Sequence, residues 1–286
     1  MARKKPGNSQ KQKMKFSKYL ILSLAAACAV PSGLQAHISY SGRDFGALVL
    51  GEPGASNLTQ TVSSSFGWAD ATDSDWGDSH RLRAFRFSLS TSASVMITVQ
   101  RNANGTGPAG TFLPAFSLFS GLAHLSSPRA HDFSALSRQW LQQQFGTNST
   151  GLGGSGKEGS LSALGDWAIG NSVSQTVIDP SDSLRFFTYI GHAADGTSVN
   201  FGLAPGINGD GLADGSVTAS FHGLAPGNYS LFVGGANYAA QTTEVPTYPT
   251  YGVNVTVQAV PEPSTWALLA FGGLVAGAVW RRRLRR

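Results

Sequence analysis

Four aspartates, Asp70, Asp73, Asp75 and Asp78, fall within the short stretch WADATDSDWGDSH. Carboxylates packed this closely repel one another unless water or a cation neutralises them, and hard oxygen ligands at this density suit calcium. A solvated polar loop in front of a strand would use the same residues, because aspartate side chains cap turns. A second acidic stretch, GINGDGLADGS from Gly206 to Ser216, resembles calcium loops of the D-x-[DN]-x-[DN]-G type. Asn208, Asp210, Gly211 and Asp214 take its third, fifth, sixth and ninth positions. Gly206 then stands at the first and Val217 at the twelfth, so two main ligands, including the bidentate glutamate, are missing. A Gly-Asp turn between strands accounts for the same residues. Calcium is the one candidate cofactor.

Hydrolytic chemistry finds less support. The histidines His37, His80, His124, His131, His192 and His222 belong to no G-x-S-x-G elbow or H-E-x-x-H pair. In FTYIGHAADGTS, His192 and Asp195 fall close together at a strand end, a proximity in sequence only. Gly151, Gly153 and Gly156 match G-x-G-x-x-G, and residues 151–157 approach a phosphate loop. Glu158 stands where the magnesium-binding hydroxyl belongs, and no buried strand precedes, so the stretch reads as a glycine-rich loop. Trp68, Trp76, Trp140, Trp167 and the tyrosines of NYAAQTTEVPTYPTYG could stack on sugar rings or close a core. The expectation is a non-enzymatic protein, with a carbohydrate-binding module, calcium-stabilised in one version, as the alternative.

Charge is divided unevenly along the chain. The formal net charge is +5, yet residues 37–259 hold nine basic and fifteen acidic residues, a balance of −6. The excess of cations lies at the two ends, so the basic character is no sign of nucleic-acid binding, which needs cations clustered on a folded surface. Residues 1–36 carry seven Lys or Arg through Lys18, an apolar stretch from Tyr19 to Val30, a Pro31-Ser32-Gly33 breaker and Ala36 at a cleavage position. This is the pattern of a secretory signal peptide with an apolar helix, served by the Sec export machinery and signal peptidase. Lipidation at Cys28 is disfavoured by Ala25, where a lipoprotein signal usually has Leu. Cys28 is the only cysteine, so residues 37–259 can form no disulfide and must rely on core packing.

Seven segments of that body read as strands: Leu82 to Ser90, Ser94 to Gln100, Leu113 to Leu122, Leu184 to Gly191, Ser216 to Leu224, Asn228 to Gly235 and Tyr251 to Val260. In the first, Leu82, Ala84, Phe85, Phe87 and Leu89 leave Arg81, Arg83, Arg86 and Ser88 to solvent, with a slip near Ala84 that predicts a bulge. Apolar spacing of three and four predicts one helix, Asp132 to Gly146. The fold class expected is mainly β: an antiparallel β-sandwich of jelly-roll type with one inserted helix. The order RAFRFSLS, SVMITVQ, PAFSLFSGL, GLAPGNYSLFVGG and YGVNVTV is similar to bacterial pre-peptidase C-terminal-like β-sandwich domains. That resemblance implies a fold and little about a task. Whether residues 37–81 pair into the main sandwich is left open.

The last 27 residues, from Val260 to Arg286, combine three unlike features: Pro261-Glu262-Pro263, a fifteen-residue apolar run from Trp266 to Trp280, and five arginines. As a helix the run measures about 22 Å, against about 30 Å for a hydrocarbon core, so it spans a membrane only barely. The arginines orient it with the tail in the cytoplasm and the body outside. Anchoring alone leaves the two prolines unexplained; they make a stiff extended segment suited to a protease cleft. In this order at a C-terminus the features resemble the PEP-CTERM sorting signal. The resemblance implies that an exosortase in the inner membrane recognises Pro261, Glu262 and Pro263, and that processing delivers the body to the envelope or exopolysaccharide matrix of a Gram-negative bacterium. Three regions follow: 1–36 signal, 37–259 exported body, 260–286 sorting signal with a short transmembrane helix.

Overall fold

Each of the seven predicted strand segments forms a strand, and the additional strands pair around them. The computed structural model describes residues 38–50, 57–69, 76–108, 110–123, 133–134, 160–170, 185–260 and 281. In chain order the strands are β1 (Asp44–Leu48), β2 (Asn57–Ser63), β3 (Trp76–Asp78), β4 (Arg83–Leu89), β5 (Ala93–Asn102), β6 (Pro114–Ser120), β7 (Phe133–Ser134), β8 (Ser160–Ser162), β9 (Trp167–Gly170), β10 (Arg185–Ala194), β11 (Ser216–Leu224), β12 (Gly227–Gly235) and β13 (Thr250–Val260). A single turn of helix, α1 (Ala240–Thr243), precedes β13.

The large sheet runs β1-β4-β12-β6-β10-β9-β7, the second sheet β11-β5-β13-β2, and β3 pairs with β8. Pairing is antiparallel throughout except between β1 and β4, which are parallel. Between the two main sheets, Phe85, Phe87 and Leu89 of β4 and Leu231 and Val233 of β12 join one apolar core with Val95, Ile97 and Val99 of β5 and Val253, Val255 and Val257 of β13. The outer face of the second sheet is open to water, so β5 and β13 alternate between buried valine or isoleucine and threonine, asparagine or glutamine.

The large sheet is covered on both faces. Its other side supports a second core, in which Trp68, Leu82, Ala84, Ala115, Phe119, Leu161, Trp167, Phe187 and Phe232 meet. This corrects the bulge expected near Ala84. The ladder of β4 with β12 runs unbroken from Arg83 to Leu89, and Leu82 and Ala84 are apolar because they face the second core. Central strand β6 is accordingly buried at every position up to Phe119.

The helix expected at Asp132 to Gly146 fails where it is described. Phe133 and Ser134 form β7 and pair with Gly170 and Ile169 of β9. An open edge of β9 offers backbone hydrogen bonds that outweigh local helical periodicity, and tertiary context commonly overrides propensity in this way. The remainder of that segment, residues 1–36, the glycine-rich loop at 151–157 and residues 261–280 lie outside the described residues. Residues 38–50 and 57–63 do join the sheets, as β1 and β2. Among the described residues no helix is long and apolar enough to cross a membrane.

Candidate functional site

Strand β10 brings two titratable side chains, Tyr189 and His192, into contact. Its pairing with β6 slips between Tyr189 and Gly191. In a regular strand, residues three apart point to opposite faces; the slip puts Tyr189 and His192 on the same side, over the second core. Gly191 leaves room there for the Phe221 ring, which a Cβ would approach to 2.8 Å and push aside. The Tyr189 hydroxyl hydrogen-bonds His192 Nδ1. His192 Nε2 accepts the backbone N–H of Asn208 at 2.7 Å. The Trp68 ring lies 5.5 Å away, centroid to centroid. Burial pulls the imidazole down to about 4 and pushes the Tyr189 phenol up to about 12. His192 is therefore neutral at pH 7, and because Nε2 accepts, Nδ1 carries the proton and donates to Tyr189. With both nitrogens engaged, the ring holds a loop and has no free lone pair for a general base.

Asp195 follows at the end of the same strand, fully buried. Its oxygens accept the N–H groups of Asp214 at 3.0 Å and Gly215 at 2.7 Å. Burial raises its carboxyl to about 6, with Asp210 and Asp214 adding to the rise and the two backbone donors opposing it. His192 and Asp195 thus grip two parts of one loop, residues 206–216, and form no relay with each other. Asp210 Oδ1 accepts from Gly196 at 3.1 Å and Leu212 at 3.0 Å, and Asp214 Oδ1 accepts from Ser216 at 3.0 Å. The backbone carbonyl of Asn208 accepts from Ala194 at 3.1 Å. These residues cap turns, which is the turn reading of the GINGDGLADGS stretch, and calcium is not supported there.

Of the other four aspartates, Asp70, Asp73 and Asp75 lie outside the described residues. Asp78, on β3, accepts His80 Nδ1 at 2.8 Å and pairs with Arg81 Nε at 3.1 Å. Burial alone would raise its carboxyl, but His80 and Arg81 leave it below the usual carboxylate range. Among the described residues no group of three or more His, Cys, Asp or Glu is arranged to hold a metal ion.

Two polar anchors were missed in the sequence. The Arg81 guanidinium lies between the rings of Phe66, at 4.5 Å, and Tyr248, at 4.3 Å, and donates to Ser64 Oγ at 3.0 Å. Glu244, at the C-terminal end of α1, is buried and accepts the N–H and hydroxyl of Ser65 at 2.8 and 2.7 Å, together with the Tyr251 hydroxyl. Ser64 has φ of 70°, in the left-handed region. The only advance signal was a lone glutamate in an otherwise uncharged stretch.

Of the aromatic residues proposed for sugar stacking, Trp68, Trp167 and Tyr251 are core, whereas Tyr238 and Tyr248 are each 40% exposed. Trp68 is fully buried, donates to Ser117 Oγ at 2.9 Å and cannot reach a ligand. Trp167 is buried too, stacked 4.4 Å from Phe187. Tyr251 is buried, and Tyr248 covers Arg81. Trp140 lies outside the described residues.

A search of curated proteins finds no match. Among solved structures, the chain is similar to CorA, a surface-associated copper-binding protein important in copper acquisition by Methylomicrobium album BG8, at 13% identity and a TM-score of 0.45, over 74% of this chain and 99% of that one. It is also similar to the secreted protein MopE of Methylococcus capsulatus, at 16% identity and 0.39, over 76% and 87%. A third is PliG of Aeromonas hydrophila, a periplasmic inhibitor of g-type lysozyme, at 12% identity and 0.23, over 75% and 99%. None of these scores reaches the level of a shared fold. Strand β13 ends at Val260, and Pro261, Glu262 and Pro263 follow it at once, outside the described residues. It is in this segment, residues 259–283, that the chain matches a family model, the PEP-CTERM protein-sorting motif.

Proposed function

We propose that this is an exosortase substrate: an exported, non-enzymatic surface or matrix protein whose C-terminal segment is an address. The match to the sorting motif supports export and an exosortase as processing partner. The observation that carries the reading is the junction. The sorting motif begins at Ala259, inside β13, so the folded body hands directly to the Pro-Glu-Pro without a spacer. In this reading Pro261 and Pro263 keep the segment extended where the protease must grip it, the apolar run holds it at the membrane, and the arginines stop transfer. The body needs no catalytic site, and its most polar interior group is spent holding a loop.

Mass spectrometry of the mature protein from its native host tests this. Processing removes the apolar run, so no peptide from 266–286 is expected. Recovery of the intact tail on all of the protein would make it a plain anchor.

A further inference from the structure

A sheet edge presents backbone N–H and C=O groups that can pair with another chain, and folded proteins guard such edges with short strands, bulges, charge or proline. Among the described residues every edge but one is guarded in this way. β7 has two residues, and β3 and β8 have three each. β1 carries Asp44 and a register shift before Ala47, and β11 carries a register shift between Phe221 and Leu224 and packs along β10. β2, the other edge of the second sheet, has none of these devices. Its seven residues, NLTQTVS, pair with β13 in unbroken register and include no charge, proline or glycine.

The ladder fixes which groups of β2 are open. Ser63 faces Thr250, so Ser64 faces Pro249, and the Ser64 N–H donates to the Pro249 carbonyl at 2.7 Å. Inward bonding then recurs at every second residue, at Val62, Gln60 and Leu58, and the backbone groups of Asn57, Thr59, Thr61 and Ser63 point away from β13. The Ser63 N–H is taken by the Arg81 carbonyl at 2.8 Å. Asn57, Thr59 and Thr61 remain, each with an exposed side chain and, among the described residues, no backbone partner on that side. These three positions are symmetric about Thr59.

We propose that β2 pairs with β2 of a second copy of this chain, antiparallel, about a two-fold axis at Thr59. Thr59 then faces the Thr59 of the second copy, and Asn57 faces its Thr61. Each facing pair exchanges two N–H···O=C bonds, so every open donor of the edge meets an acceptor. A register shifted by two residues either way leaves an open position of each copy unmatched. Charge selects the same place: residues 37–259 balance at −6, so two bodies repel where acidic surfaces meet, yet β2 and the neighbouring β13 carry no charge at all. Threonine facing threonine on the outer face is a favourable cross-strand pair. The second sheet, β11-β5-β13-β2, then continues through the axis into its copy as one antiparallel sheet. The pairing depends on this edge alone and not on the role of the tail.

The test uses the full chain in detergent, in a Cys28→Ser background, with single cysteines under mild oxidation. Facing residues of a hydrogen-bonded pair lie about 5.5 Å apart between Cα atoms, within disulfide reach, whereas Asn57 lies about 14 Å from the Asn57 of the second copy. Expected is severalfold more covalent dimer from Thr59→Cys than from Asn57→Cys or from Thr218→Cys on β11, with dimer recovered when Asn57→Cys and Thr61→Cys copies are mixed. Equal yields at 59 and 218 would overturn the proposal, and so would linkage of 59 only to 218, which would make the assembly head-to-tail. Thr59→Lys and Thr59→Glu each set like charges face to face; each should be monomeric by light scattering, and the two should form a dimer on mixing. A parent chain that is monomeric, or a Thr59→Lys chain that stays dimeric, would overturn the pairing as well. Thr59 is exposed, so both variants should keep the far-ultraviolet strand signal of the parent.

Discussion

His192 accepts the backbone N–H of Asn208 through Nε2, one of several hydrogen bonds that tie the end of β10 to the loop that precedes β11. Only a neutral imidazole can accept it. Burial holds the folded ring near 4, below the ordinary value of 6.5. Its contribution to stability is thus complete above about pH 6.5 and is lost as pH falls through about 4, at most about 3 kcal/mol. Melting curves should show His192→Gln with a flatter decline than the parent between these values. Parallel declines would show that the ring does not titrate on unfolding.

Asp195 works in the opposite direction. Its folded carboxyl, near 6, exceeds the unfolded value of 3.8, so the folded state binds a proton more readily and this group favours folding increasingly as pH drops from about 6 to 4. Asp195→Asn offers one acceptor oxygen to the N–H groups of Asp214 and Gly215, and should cost about 1–3 kcal/mol in urea unfolding. The deficit should widen toward pH 4. Amide exchange at Gly215 should quicken in the same variant.

Arg81 is held on two rings and two oxygens at once. Lysine keeps the charge but loses the planar stack between Phe66 and Tyr248 and the fork toward Ser64 and Asp78. Arg81→Lys should destabilise by about 1 kcal/mol and Arg81→Ala by more, read from denaturant midpoints at unchanged slope.

Calcium should leave the melting temperature unmoved. Asp78, Asp210 and Asp214 already have partners, and a site held at a hundred times its Kd would add about 2.7 kcal/mol. A clear rise at millimolar calcium, reversed by chelation, would contradict this and point to Asp70, Asp73 and Asp75.

Strands were legible where burial alternates. β5, β11 and β13 each have a dry face and a wet face, and their period of two stands out in the sequence. β4 and β6 are legible as strands, but a strand buried on both sides loses its alternation, and the slip expected at Ala84 of β4 is the second core showing through. β3, β8 and β9 are too short to display any period. Of the candidate site, His192 and Asp195 were noticed as neighbours, but their separate grips on the 206–216 loop depend on a register slip that no local pattern encodes. Arg81 and Glu244 act through partners far away in the chain, so nothing around them announced a role.

Strand β13 is the last strand among the described residues, yet it sits inside its sheet, between β5 and β2. Until Thr250 to Val260 have crossed, β2 has no neighbour in that sheet and β5 has only β11. A chain threaded from its N-terminus consequently cannot close its principal core until β13 has arrived. The next residues to emerge are Pro261, Glu262 and Pro263. The strand that closes the core and the proposed address therefore follow one another directly in the chain.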